Sequence, residues 1–311
     1  MSRYYLGIDT SNYRTSAALY DAENKTWQNS GRLLDVPHGS LGLRQSDALF
    51  QHTQRLHEMI AGLPAGVRIE AVCVSTRPRA VEGSYMPCFL AGVNVARSLA
   101  HVLGVPLYEC SHQQGHLAAA AFSAAALDLL AEEFYAWHLS GGTTELLRVI
   151  PGENGLCHAE CIGGTSDLAA GQIVDRCGVL LGLPFPAGAA LEELAKESCS
   201  EACFRPRVTE CGFSLSGVEN KFKKMHEDGA APADIAAFTL NTVLAAVEKA
   251  TEQALKKKRL PVLCAGGVMS NRVLQDRMRA RFGARFAEPV LSSDNAVGAA
   301  ILAALQNGEN I

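Results

Sequence analysis

The chain has 311 residues, 48% of them hydrophobic and 19% charged, with a formal net charge of -4. That is ample apolar material for a core, and the length favours two domains. So weak a negative charge excludes a general electrostatic hold on nucleic acid, and no apolar run reaches the roughly 18 residues of a membrane span.

Residues 4–9 read as a buried strand, 10–14 as a turn and 15–20 as a returning strand. Apolar residues at helical spacing follow over 46–63, ending before Pro64. A β-rich run over 69–75 leads to a helix at 89–103, closed by Gly104, and a strand at 105–109. An Ala-rich helix begins at His112. The same order then recurs: strand 133–139, polar turn 140–144, strand 145–150 and helix 167–181. After an irregular stretch rich in Pro and Gly comes a long helix at 232–257. Strand 260–265, helix 270–282, strand 284–287 and a last helix over 295–306 complete the chain. This alternation predicts α/β layers in two like halves, 1–128 and 129–311, with a ligand cleft between them.

The opening residues hold too short an apolar stretch for a signal peptide, and it is interrupted by Asp9, so a cytoplasmic location is expected. In a reducing compartment the ten cysteines are not expected to form disulfides. Cys157 and Cys161, Cys199 and Cys203, and Cys211 lack the Cys-x-x-Cys spacing of structural zinc and read as bystander thiols. The run Lys256-Lys257-Lys258-Arg259, with Lys221, Lys223 and Lys224, is a local basic patch or, more simply, solvated helix faces.

His112 and His116 in Ser111-His112-Gln113-Gln114-Gly115-His116 lie four residues apart, hence on one helix face, where two imidazoles can share a metal ion. Asp294, before the last helix, is either an N-cap or a third ligand that makes up a set suited to iron or zinc. Ser140-Gly141-Gly142-Thr143-Thr144 offers backbone N–H groups to an anion, or is an ordinary hairpin turn. Gly266-Gly267 through Asn271 runs from strand to helix, as at phosphate or ribose sites, but lacks the Gly-Lys-Ser/Thr ending of a Walker loop. Asp9 either orients a metal-bound water or phosphate or caps the following turn. Asp167 is a candidate for ribose or base, and Asp175 a solvated or paired helix charge.

These elements, in this order, resemble the TsaD/Gcp family of the actin-like superfamily. The stretches that carry the likeness are Leu6-Gly7-Ile8-Asp9-Thr10-Ser11, the His112/His116 motif, Leu139 to Thr144, Asp167 to Gly171, Leu180 to Pro186, Phe213 to Gly217, Ala265 to Arg272 and Ser293-Asp294-Asn295. The resemblance implies two actin-like (ASKHA, RNase H-like) lobes with a nucleotide and a metal in the cleft between them. It further implies transfer of a threonylcarbamoyl group from threonylcarbamoyl-adenylate to N6 of the adenosine 3′ of the anticodon in tRNAs reading ANN codons. By position, His112, His116 and Asp294 would hold one divalent metal, iron or zinc; Asp9, on the reading of the residues given above, is the catalytic candidate. Ser140, Gly141, Gly142, Asp167, Gly188 and Asn271 would contact an ATP- or AMP-type nucleotide, and His138 stands where some members have a tyrosine ligand. Implied partners are tRNA and a smaller actin-like paralogue or accessory subunits; no membrane is implied.

The chain departs from that family's pattern on one side. An acidic pair becomes Tyr13-Arg14, a Gly-Pro-Gly loop becomes Arg77-Pro78-Arg79, a glutamate becomes Gln114, and Thr143 replaces a His or Asn. A second reading therefore stays open: a metal- and nucleotide-binding paralogue with another acceptor, or a non-catalytic partner. A protease is not expected, since the His-Glu-x-x-His motif is absent.

Overall fold

A computed structural model describes residues 2–11, 13–36, 43–291 and 296–309. The chain divides into two compact units. One comprises Met1–Glu132, Ile150–Ala159 and Val290–Ile311; the other comprises Glu133–Val149 and Glu160–Pro289. The main division thus falls beside the expected boundary, but the C-terminal stretch belongs to the first unit and not to the second.

In chain order, the first unit opens with β1 (Tyr4–Ser11), β2 (Arg14–Asp21) and β3 (Thr26–Leu33), followed by α1 (Gln45–Ala61), β4 (Ile69–Arg77), α2 (Leu90–Leu103), β5 (Leu107–Ser111) and α3 (His112–Ser123). Its sheet has the order β3-β2-β1-β4-β5. β1 pairs antiparallel with β2 and parallel with β4. Side chains alternate between the sheet faces. Leu6, Ile8, Ala17, Leu19, Val72 and Val74 pack against Leu56 and Met59 of α1 and Val93, Ala96 and Ala100 of α2. On the opposite face backbones approach closely at Gly7, where a Cβ would lie 2.1 Å from the Ala296 carbonyl oxygen.

The remaining elements are β6 (Phe134–Leu139), β7 (Thr144–Pro151), β8 (Cys157–Thr165), α4 (Ala170–Leu180), α5 (Gly188–Ala195), β9 (Gly212–Phe213), α6 (Ser216–Glu227), α7 (Pro232–Lys257), β10 (Val262–Ala265), α8 (Arg272–Phe282), β11 (Arg285–Phe286) and α9 (Val297–Gln306). Their sheet has the order β11-β10-β6-β7-β8-β9. The second unit's core gathers Trp137, Leu146, Phe213, Phe222, Val247 and Cys264 around α7. α7 begins with Pro232 at its first position and ends on Lys256 and Lys257. Proline is pre-set for a helix start, and cations suit the negative end of the helix dipole.

β3 and β8 were not foreseen, because Thr26–Leu33 and Cys157–Thr165 are polar and lack clean alternation. β3 lies at a sheet edge, where ladder pairing with β2 substitutes for burial. The stretch read as irregular holds α5 and α6, and helix 167–181 begins only at Ala170. Among the described residues no helix is long and apolar enough to cross a membrane. The ten cysteines are all free thiols. Burial pushes the Cys88 and Cys177 thiols up to about 11, which makes them inert.

Candidate functional site

In the first unit, α3 starts on a reciprocal cap. Ser111 Oγ accepts the Gln114 N–H at 3.2 Å, and Gln114 Oε1 accepts the Ser111 N–H at 2.7 Å. The Gln114 amide also donates to the Cys157 carbonyl at 2.7 Å. A glutamate there would set acceptor against acceptor, which accounts for the glutamine. With α3 fixed at this end, His112 and His116 meet edge to face, their Nε2 atoms 2.9 Å apart.

Asp9 of β1, 103 positions earlier, reaches His112 Nδ1 with Oδ2 at 2.8 Å. Its Oδ1 accepts the Ser11 N–H at 2.9 Å. Burial alone would raise the Asp9 carboxyl. Charge and hydrogen bonding with His112, and the neighbouring Ser11 and Ser75, hold it below its ordinary value. An ionised Asp9 takes the Nδ1 proton of His112 as a hydrogen bond, which leaves the His112 Nε2 lone pair facing His116. Asp9 therefore both caps the turn and orients His112. It is 4% exposed, so it acts through the imidazole.

Two nitrogens 2.9 Å apart match adjacent corners of a coordination shell with bonds of roughly 2.0–2.1 Å, so the pair fits one metal ion. Asp294 lies outside the described residues, and among the described residues no group of three His, Cys, Asp or Glu is placed to hold a metal.

One buried contact of the first unit was not foreseen. His52 of α1 is fully buried, with Nδ1 2.8 Å from Thr15 Oγ1. Burial lowers its pKa to about 4. The signal was present in the sequence, since His52 lies on the same helix stripe as Ala48, Leu56 and Met59.

In the second unit, the turn after β6 is closed by Ser140, whose N–H donates to the Thr143 carbonyl at 2.8 Å and whose Oγ accepts the Thr143 N–H at 3.1 Å. Gly141 and Gly142 are exposed at its tip, and a Cβ on either would meet nothing within 4 Å. The start of α4 packs beneath, with the Gly171 N–H on the Ser140 carbonyl and the Ala170 N–H on Thr144 Oγ1.

The second glycine element meets this turn. Gly266 has φ 100°, and a Cβ there would lie 2.1 Å from the Leu139 carbonyl oxygen, so only glycine lets β10 leave alongside β6. A 3-10 turn at Gly267–Ser270 intervenes before α8. Asn271 caps α8 by accepting the Leu274 N–H at 3.1 Å, while its buried Nδ2 has no hydrogen-bond partner among the described residues. Glu192 of α5 accepts the Arg272 N–H, which ties α5, and so Gly188 at its start, to α8. Next to Gly188 the nearest atom a Cβ would meet is 4.0 Å away. Ser140, Gly141, Gly142, Gly188 and Asn271 thus sit on linked loops of this unit.

Asp167 differs from expectation. Its oxygens accept hydrogen bonds from Thr165, Leu168, Ser214, Leu215 and Ser216. Partial burial would raise its pKa, but these donors hold it well below the carboxylate range. With its acceptor sites so filled, Asp167 fixes the 214–216 loop and has little capacity left for a ribose. Asp175 accepts the Ala187 N–H, so it is paired rather than solvated. His138 lies on β6 opposite Glu145.

Residues 46–301 match the family described as TsaD, tRNA N6-adenosine threonylcarbamoyltransferase. The chain belongs to the TsaD family. A tRNA N6-adenosine threonylcarbamoyltransferase of Acidovorax sp. (strain JS42) is 30% identical, over 98% of this chain and 92% of the relative. Another from Albidiferax ferrireducens is 34% identical over 71% and 67%. Members of the TsaD family so named are enzymes, transferases acting on tRNA. Among solved structures, full-length HypF in a phosphate- and nucleotide-bound form matches 98% of this chain and 55% of that one, at TM-score 0.58 and 15% identity. A ROK family glucokinase from Streptomyces griseus, in complex with glucose and AMPPNP, matches 97% and 98%, at TM-score 0.51 and 13% identity. At such identities these likenesses speak for the fold alone, which is actin-like.

Proposed function

We propose that this chain transfers a threonylcarbamoyl group from threonylcarbamoyl-adenylate to N6 of the adenosine 3′ of the anticodon in tRNAs that read ANN codons. The observation that carries the reading is the paired Nε2 atoms of His112 and His116, aligned by Asp9, in a chain of this family. His112, His116 and Asp294 would hold one divalent metal, iron or zinc. When bound, that ion would act as a Lewis acid toward the carbamoyl oxygen, which helps a weakly nucleophilic aromatic amine attack.

The chain's own residues supply binding and orientation. The exposed N–H groups of Gly141 and Gly142 suit an adenylate phosphate, and they would stabilise charge as it departs. The unpartnered Asn271 Nδ2 is a buried donor that a nucleotide oxygen or ring nitrogen would satisfy. Gly188, uncrowded at the start of α5, would contact the same nucleotide. Asp167 shapes this region through the 214–216 loop. Asp9 keeps His112 in one tautomer and takes no part in bond making. The protein would work in the cytoplasm with a smaller actin-like paralogue or accessory subunits.

The test is mass spectrometry of tRNA nucleosides from the host with and without this gene. Threonylcarbamoyl-adenosine is expected to vanish on deletion and to return with the wild-type gene but not with His112→Ala. An unchanged level on deletion would overturn the reading and point to another acceptor.

A further inference from the structure

We infer that the loop between β4 and α2, residues 78–89, receives the anticodon loop of the tRNA, with Tyr85 stacking on an unpaired base that flanks the acceptor adenosine. Naming the RNA an anticodon loop rests on the function proposed above.

Both feet of this loop stand at His112. At the first foot, Arg77 pairs with Ser111 on the β4–β5 ladder, and the Gln113 N–H donates to the Pro78 carbonyl at 3.0 Å. At the second foot, the centroid of the Phe89 ring lies 6.5 Å from that of the His112 ring. Thr10, the residue after Asp9, fixes this foot to β1. Its hydroxyl donates to the Cys88 carbonyl at 3.2 Å and accepts the Gly92 N–H at 3.2 Å. Between the feet the chain turns back on itself. The Ser84 N–H donates to the Val81 carbonyl at 3.2 Å, Gly83 adopts φ 75°, and the Arg79 N–H donates to Ser84 Oγ at 3.0 Å. Three chain steps and two hydrogen bonds therefore lead from His112 through Gln113, Pro78, Arg79 and Ser84 to Tyr85. At about 3.8 Å per chain step this bounds the separation of His112 and Tyr85 at about 25 Å, close enough for one RNA loop to touch both.

The side chains on this loop suit RNA. Tyr85 is 64% exposed and Val81 55%, although Phe89 at the second foot is buried. An aromatic ring kept in water on an anchored loop is a platform for an unpaired base, since every base has a face to stack. Arg77 and Arg79 are also exposed, against a single carboxylate, Glu82, in residues 77–86. The whole chain carries a net charge of -4, so its hold on phosphates has to be local, and these arginines supply it at the histidine pair. They stand where the family pattern has the glycines of a Gly-Pro-Gly loop, so cationic side chains project where the pattern has bare backbone. A protein contact would call for a continuous apolar patch, whereas here Val81 and Tyr85 alternate with charged and small residues.

The test is fluorescence anisotropy of the full chain with a labelled anticodon stem-loop RNA that carries the acceptor adenosine, and with an RNA duplex of equal length. The wild type is expected to bind the stem-loop, with affinity about tenfold lower in Tyr85→Ala and largely kept in Tyr85→Trp, while duplex binding is weaker and indifferent to both changes. Arg77→Gln/Arg79→Gln is expected to flatten the salt dependence of stem-loop binding. Thermal unfolding curves check that each variant is folded. Equal stem-loop binding by wild type and Tyr85→Ala, or none by the wild type, overturns the inference. Unaltered RNA binding with threonylcarbamoyl-adenosine lost in a host carrying Tyr85→Ala would assign the loop to a protein partner and overturn it as well. The titration needs no turnover. Tyr85-dependent RNA binding in a host whose tRNA is unchanged by deletion would therefore sink the function and keep the loop, while tRNA modification that depends on the gene but not on Tyr85 would do the reverse.

Discussion

At the scale of residues, the site turns on a buried carboxylate set against an imidazole. Asp9 holds the His112 tautomer through a 2.8 Å hydrogen bond. Asp9→Asn keeps the volume but removes the charge, so, if the proposed metal is held by His112, its affinity is expected to fall about 10- to 100-fold, the usual effect of losing an outer partner of a ligating histidine. A competition titration with a chromophoric chelator reads this directly, and an unchanged affinity would relegate Asp9 to turn capping. His52 gives a second prediction. Its folded pKa of about 4 lies below the ordinary histidine value of 6.5, because burial disfavours the charged ring. The unfolded chain therefore binds a proton that the native chain refuses. Stability is full above pH ~6.5, declines as pH falls toward ~4, and levels off below that, a loss on the order of 3 kcal/mol. Urea melts between pH 4 and 7.5 are expected to show this slope in the wild type and to lose it in His52→Gln.

At the scale of elements, the histidines are held by how closely two helices cross. A Cβ on Gly298 of α9 would lie 1.8 Å from the Gly115 carbonyl oxygen of α3, between His112 and His116. Gly298→Ala must push α3 away, so a loss of about 3 kcal/mol in urea melts is expected, with weakened metal binding. Wild-type metal affinity in a destabilised variant would separate packing from the site. The elements also show what could be read in advance. The histidine pair was legible because helical spacing is local, and α7 was legible at both ends because proline and lysine mark them. Asp9's partner was not legible, since it lies 103 residues away and only the β1–β4–β5 order brings it near. Asp167 suggested a ligand contact because the donors that fill it sit 47 to 49 residues on, in a stretch that no local signal pairs with it. β3 and β8 escaped notice because pairing, not burial, makes them strands.

At the scale of the whole molecule, the first unit is completed by the end of the chain. Residues Val297 to Ala304 of α9 are all buried. Gly7 abuts Ala296 and Ala300, and Glu309 accepts a hydrogen bond from the Tyr5 hydroxyl and pairs with Arg3. Removing Val297, Ile301 and Leu302 alone forfeits roughly 1.5–3 kcal/mol each, comparable in sum to the stability of a domain. The second unit keeps its core without this stretch, because Trp137, Phe222 and Val247 pack within it. A chain ending at Pro289 is therefore expected to unfold in one unit only. Hydrogen exchange followed by mass spectrometry should find β1 and β4 exchanging at unfolded rates while α7 and β6 stay protected. Protection of β1 and β4 in the truncated chain would show that α9 covers this sheet without being needed to fold it. Loss of protection everywhere would show that the two units fold as one cooperative body.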